Sequence, residues 1–248
     1  MPAVAGASTE AGAASGRPAV VTGGAGAIGR ALLDRLAELG HRGVALDLAG
    51  DGPDVVACDV SDEVSVAAAF AEIRQRIGPP LILVHAAGIT GRGGVEAETP
   101  DAWRRILEVN LTSAYLCARE VIAGMREASW GRIVLVASVN ARFGGSALSG
   151  PAYAASKGGL LTLARFLARE HAADGITVNA VAPGPHDTPM WEALDAPLRH
   201  RILSMQPGGD RGPGDPRDLA ATIVHLCSDE ARYITGATVD VNGGQWMG

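Results

Sequence analysis

Short apolar runs rich in β-branched residues alternate along the chain with longer stretches whose apolar positions recur every three or four residues. The runs are Ala19–Thr22, Gly43–Asp47, Val55–Val60, Leu81–His85, Arg132–Ser138, Thr177–Ala182 and Thr238–Val241. Most are continuously apolar, as parallel strands covered on both faces are. The intervening stretches read as helices. Ile28–Leu39 follows a glycine turn, and Asp62–Ile77 carries Val66, Phe70, Ile73 and Ile77 on one face. Thr99-Pro100 supplies an N-cap followed by proline at the first helical position. It predicts a helix with Trp103, Ile106, Leu107, Leu111, Ala114, Ala118, Val121, Ile122 and Met125 at helical spacing. Asp215-Pro216 repeats the signal before Leu219–Leu226. Strand and helix alternate nearly end to end, which predicts an α/β fold: a doubly wound parallel sheet of about seven strands with helices on both faces.

Two stretches break the alternation. Residues 1–16 are Ala/Gly/Ser-rich without periodicity and read as a mobile tail, leaving residues 17–248 as one domain with no internal repeat. The segment 185–213 is punctuated by Pro185, Pro189, Pro197, Pro207 and Pro213, with room for a helical piece around Trp191–Leu203. A connection this long in a compact domain is usually functional, often a lid.

Composition narrows the class. The chain of 248 residues is 47% hydrophobic and 19% charged, an ordinary globular balance. Its net charge of −6 argues against a nucleic-acid or anionic-membrane partner. No apolar run approaches the roughly 18 residues of a membrane span. Residues 1–16 lack the basic start and apolar block of a signal peptide, so a cytoplasmic location is expected. Cys58, Cys117 and Cys227 are odd in number and have no metal-ligand spacing. Buried thiols in a reducing cytosol, and no metal site, are the expectation.

The chemistry begins after the first strand. Gly24-x-Gly26-x-x-Gly29 lies between the first predicted strand and the first helix. Glycines there allow a tight turn and let a pyrophosphate reach the helix N-terminus, where free N–H groups attract negative charge. This context points to a Rossmann-type dinucleotide site. Asp47 ends the second strand, eighteen residues after Gly29, where a carboxylate accepts from adenosine ribose hydroxyls and repels a 2′-phosphate. Arg30 and Arg42 lie nearby. Asp59-Val60, after the third run, would frame the adenine, unless Asp59 caps the next helix.

A second constellation spans Ser138 to Lys157. Tyr153 and Lys157 are four residues apart, one turn from each other on a helix face. A free tyrosine has a pKa of about 10, and a nearby ammonium lowers it. Such a phenol trades a proton with an alcohol or carbonyl oxygen near neutral pH. Ser138, at a strand end, can hydrogen-bond the same oxygen. Tyr-x-x-x-Lys alone is common on amphipathic helices; the glycine turn and Ser138 give it meaning.

From about Arg17 onward the chain resembles the short-chain dehydrogenase/reductase family in its single-domain form. Thr22-Gly23-x-x-x-Ala27-Ile28-Gly29 matches that family's Thr-Gly-x-x-x-Gly-x-Gly turn, with Ala27 for the middle glycine. Gly26 stands where NADP-preferring relatives often carry a basic residue; with Asp47, that points to NAD. The family's Asn-Asn-Ala-Gly reads His85-Ala86-Ala87-Gly88, so two bracing amides are missing. His85 is then expected to be a packed, hydrogen-bonded residue. Asn110, unfavourable in a helix interior, matches the family asparagine that holds a proton-relaying water. Ser138, Tyr153 and Lys157 match the other catalytic positions.

The resemblance implies hydride transfer between NAD and a secondary alcohol or ketone. Tyr153 would be the acid/base, Lys157 would lower its pKa and hold the nicotinamide ribose, and Ser138 would polarise the substrate oxygen. It assigns Gly23, Gly26, Ile28, Gly29, Asp47, Asp59, Val60, Ala87, Gly88, Tyr153, Lys157, Pro183, Gly184 and Thr188 to the cofactor side. It implies a small-molecule substrate and a homotetramer or homodimer. Expected substrate contacts are Val139, Asn140, Arg142, Phe143, His186 and Trp191, with Thr90 and Met205 nearby; Arg142 would meet an acidic substrate or solvent. The alternatives are an NADPH-dependent 3-oxoacyl-thioester reductase, a non-catalytic nucleotide-binding regulator and a scaffolding subunit.

Overall fold

The computed structural model describes residues 16–49, 52–208 and 211–248. The tail expected at residues 1–16 lies outside them, apart from Gly16. Seven parallel strands form one sheet in the order β3-β2-β1-β4-β5-β6-β7. They are β1 (Pro18–Thr22), β2 (Arg42–Asp47), β3 (Val55–Ala57), β4 (Ile82–His85), β5 (Gly131–Val136), β6 (Ile176–Pro183) and β7 (Thr238–Val241). The expected third run, Val55–Val60, stops early because Asp59 folds back. Its carboxylate accepts from the Ser61 backbone N–H at 3.0 Å and from the Ser61 hydroxyl at 2.6 Å.

The helices cover both faces. Helices α1 (Ala27–Glu38) and α9 (Pro216–Leu226) close one core, where Leu32, Leu36, Leu219 and Ile223 meet Val21, Val84 and Val134. On the other face α2 (Glu63–Ile77), α4 (Ser113–Glu127) and α6 (Pro151–His171) bury Phe70, Ile73, Met125 and Leu160 against Val20, Leu83 and Ile133. This two-sided burial explains the continuously apolar strands. Asp62, Thr99 and Asp215 cap α2, α3 (Pro100–Leu107) and α9 through their side chains, the latter two as the sequence signals require.

The helix opened at Thr99 is not continuous. After α3 (Pro100–Leu107) a π-helical turn covers Glu108–Thr112 before α4 begins. The expected piece at Trp191–Leu203 is likewise divided into α7 (Pro189–Glu192) and α8 (Ala196–Leu203), because Asp195 starts a new cap for Leu198. Asn140–Phe143 forms the short helix α5.

Strand order reverses between β1 and β4, which opens a crevice at the carboxyl ends of the strands. Thr22, Asp47, His85 and Ser138 all end or follow strands on that edge.

Candidate active site and cofactor cleft

The glycine turn has the shape that an anion-binding helix start requires. Gly23 has φ +66°, and its N–H bonds to Leu46 O at 2.8 Å, tying the turn to β2. Gly26, the N-cap of α1, brings no side chain to the free N–H groups of the first turn. Asp47 faces this turn: its carboxylate accepts from Ala25 N at 3.0 Å and Leu48 N at 2.8 Å. The bare turn, the helix start and the strand-end carboxylate fit a dinucleotide.

Other expected cofactor residues differ in their setting. Val60 and Ala87 are buried, and Ile28 is half-buried. Asp59 does not cap α2, a role taken by Asp62; it is held by Ser61 and pairs with Arg105 at 3.5 Å. The Ser61 hydrogen bonds hold its carboxyl below the usual range. Pro183 ends β6 and receives the Val139 N–H at 2.8 Å, while Gly184 donates to Val241 O at 3.0 Å. Thr188 caps α7, accepting from Trp191 N and donating to His186 O.

Gly88 marks where cleft and reacting groups meet. A Cβ there would lie 3.2 Å from Lys157 Nζ and 3.3 Å from Asn110 Oδ1. Asn110 is fully buried in the π turn. Its side chain clips the chain after β4, accepting from Ile89 N at 2.8 Å and donating to Ile89 O at 2.9 Å. It also donates to Ser156 Oγ at 3.0 Å, and Ser156 donates to the Tyr153 carbonyl at 2.8 Å. The asparagine thus joins the loop after β4 to α6.

Tyr153 and Lys157 lie in the first two turns of α6, as their spacing requires. The Tyr153 phenol neighbours the Ser138 side chain, whose Oγ accepts from Asn140 N at 3.2 Å. Lys157 Nζ donates to Val136 O at 2.8 Å. Here one expectation is corrected. Burial pushes the Tyr153 phenol up from its ordinary pKa, with the neighbouring Ser138 hydroxyl opposing. Burial also brings Lys157 down to about 8. The low-dielectric surroundings outweigh any lowering of the phenol by the lysine.

The expected substrate contacts divide. Val139 is buried, Asn140 half-buried, and Phe143 partly exposed on α5. Arg142 is half-buried and already paired within the fold. It makes a two-point pair with Asp240, Nε to Oδ1 at 3.0 Å and NH2 to Oδ2 at 2.7 Å, and also donates to Thr238 O. The partner sits on β7, 98 residues away, which the local sequence does not reveal. His186 is buried and braces its own loop through Nδ1 to Gly184 O at 3.0 Å. Trp191 is buried, whereas Thr90 and Met205 are exposed.

Glu98 is a contributor that the sequence reading missed. Helix α6 begins at Gly150-Pro151 with no capping side chain of its own. Glu98, from the segment before α3, accepts from Ala152 N at 3.0 Å and supplies that cap. The only local signal was the lack of a capping side chain before Pro151.

These features define a nucleotide-dependent oxidoreductase. A family profile described as enoyl-(acyl carrier protein) reductase matches residues 25–245. The chain is 38% identical to the 3-oxoacyl-acyl-carrier-protein reductase FabG of Pseudomonas aeruginosa, covering 94% of this chain and 98% of that protein. It is 38% identical to an acetoacetyl-CoA reductase of Shinella zoogloeoides, over 93% and 99%. The crystal structure of gox2181 superposes with a TM-score of 0.88 at 33% identity, covering 93% and 96%. The chain belongs to the short-chain dehydrogenase/reductase family, whose members are oxidoreductases that use nicotinamide dinucleotides. Among the described residues no helix is long and apolar enough to cross a membrane.

Proposed function

We propose that this protein reduces the keto group of a 3-oxoacyl thioester to a secondary alcohol, with NADH preferred over NADPH. The observation that carries the reaction class is the Tyr153 phenol beside Ser138, with Lys157 one turn along the same helix. The relatives named for 3-oxoacyl-acyl-carrier-protein and acetoacetyl-CoA support the thioester over the free ketone or alcohol. Asp47 beside the glycine turn, with no basic side chain at Gly26, supports NADH.

When bound, the nicotinamide supplies the hydride to the carbonyl carbon. The phenol of Tyr153 gives its proton to the carbonyl oxygen. Burial keeps that phenol protonated near neutral pH, the form a general acid needs. Ser138 holds the same oxygen and lowers the barrier as negative charge develops there. The Lys157 cation favours the phenolate left behind and returns the proton along a path held by Asn110. Lys157, Gly88, Pro183, Gly184 and Thr188 would hold the nicotinamide half, and Gly23, Ile28, Gly29, Asp47 and Val60 the adenosine half. Intact Asn110, Ser138, Tyr153 and Lys157 count against a non-catalytic regulator or scaffold.

A free secondary alcohol or ketone is the second reading, favoured by Asp47 because the sequence expectation for a thioester reductase was NADPH. The reading extends to a homotetramer or homodimer, consistent with exposed Tyr115 on α4 and Phe166 on α6, and to the cytoplasm, consistent with three buried free thiols. Nicotinamide absorbance with NADH and NADPH in parallel, against acetoacetyl thioesters and free ketones, tests it. NADH-linked thioester reduction is expected. Turnover of free ketones alone overturns the substrate assignment, and turnover with NADPH alone overturns the cofactor assignment.

A further inference from the structure

His85 sits at the end of β4, where the resemblance led one to expect an asparagine, and it is fully buried. Both ring nitrogens are engaged. Nδ1 lies 2.9 Å from Thr22 Oγ1, and Nε2 lies 3.1 Å from Ser113 Oγ. The partners assign the tautomer. Thr22 Oγ1 already accepts the N–H groups of Ala86 and Ala87 at 3.1 Å, so its own proton goes to Nδ1. The Ser113 hydroxyl donates to Val109 O at 2.6 Å, so its oxygen accepts from Nε2–H. The ring is neutral: burial first, then the Lys157 charge, hold its pKa down to about 3, with the Asn110 backbone pulling the other way.

The chain of bonds runs from Thr22, which opens the cofactor turn, through His85 to Ser113 and Val109. Val109 precedes Asn110 within the π turn. That turn does not follow the regular helix register: Ser113 N bonds to Glu108 O, five residues back. The Val109 carbonyl takes the Ser113 hydroxyl, whose oxygen the imidazole holds.

We infer that His85 is a positioning residue for the proton path. Its neutral Nε2–H imidazole fixes the π turn against the end of β1 and thereby holds Asn110 against Gly88 and Lys157. The inference rests on the role proposed above for Asn110. A shorter amide at this position reaches one end of the bridge, and the imidazole spans both. The ring must also stay neutral, because a second cation would crowd Lys157.

Asparagine and glutamine separate the two ends: an asparagine Oδ1 can replace the accepting Nδ1, and a glutamine amide N–H can replace the donating Nε2–H. His85→Asn keeps the Thr22 contact and loses Ser113; His85→Gln restores a donor to Ser113. The readouts are kcat, the cofactor Kd by fluorescence titration, and melting temperature, on the full chain. We expect kcat to fall about tenfold in His85→Asn and in Ser113→Ala, with cofactor Kd within about twofold, and His85→Gln to recover most of kcat. The double variant His85→Asn/Ser113→Ala should be no worse than either alone. Unchanged kcat in His85→Asn and Ser113→Ala, while Asn110→Ala is impaired, overturns this inference alone. Equal loss in His85→Asn and His85→Gln that tracks melting temperature also overturns it, as a purely structural role. Full turnover in Asn110→Ala removes the underlying reading of Asn110, and this inference with it.

Discussion

Lys157 lies one turn along α6 from Tyr153, its Nζ 5.8 Å from the centre of the phenol ring, and donates to the Val136 carbonyl at 2.8 Å. The cation is therefore placed to stabilise a phenolate once it forms. Tyr153→Phe should bind cofactor within a few-fold of the parent and lose turnover by about a thousandfold. Stopped-flow turnover alongside cofactor titration checks this, and activity near the parental level removes Tyr153 as the acid.

The same lysine sets a pH limit. With its pKa at about 8, the charge beside the phenol is lost as pH rises through that value, and reduction should slow accordingly. Unfolding is not the cause. The lysine's ordinary pKa is 10.5, so between about pH 8 and 10.5 the unfolded chain binds more protons than the folded one. Over that window this group makes folding stability rise with pH. A kcat–pH profile recorded with circular dichroism should show activity falling before structure is lost.

Asp47 faces the turn through Ala25 N, at the end of β2 where a ribose would lie. Asp47→Ala removes the charge that repels a 2′-phosphate. The ratio of kcat/KM for NADH over NADPH should drop at least about tenfold, a change of about 1.4 kcal/mol. An unchanged ratio would mean that the choice of nucleotide is made elsewhere in the cleft.

Arg142 and Asp240 tie α5 to β7 through a half-buried two-point pair. Arg142→Ala should cost about 1–3 kcal/mol of stability, because it leaves Asp240 without its partner. Urea denaturation measures that loss. KM values for anionic and neutral substrates should move together; a rise confined to anionic substrates would return Arg142 to the substrate site.

His85 carries an acid-side prediction. Its ordinary pKa of 6.5 falls to about 3 in the fold, so the unfolded chain takes up its proton first as pH drops. The stability lost from this group begins below about pH 6.5 and continues to about pH 3, with a limiting slope of about 1.4 kcal/mol per pH unit. Nearby Lys157 stays charged across that range and adds to the penalty. The parent should lose stability more steeply in acid than His85→Asn, as read from urea midpoints between pH 4 and 7.

The alternation of apolar runs and helical stretches was enough to read the doubly wound sheet and its glycine turn, because burial on both faces and a bare helix start are local demands on residue type. The spacing of Tyr153 and Lys157 needed only helix geometry. Caps at Thr99 and Asp215 were equally legible, since an N-cap and its first turn adjoin in sequence. The π turn at Asn110 was not legible: its side chains keep helical spacing, and only the backbone register changes.

What only the tertiary structure decided were the partnerships across the chain. Glu98 caps α6 from 54 residues away, and Asp240 takes Arg142 from 98 away. His85 bridges Thr22 and Ser113, at separations of 63 and 28. The protonation of Tyr153 and Lys157 belongs to the same class, since it follows from how far the packed chain shields them from water. Residue type and spacing report which groups are present and which face of an element they share. Which groups pair, and which charges the interior suppresses, depends on contacts that arise when distant segments pack and exclude solvent.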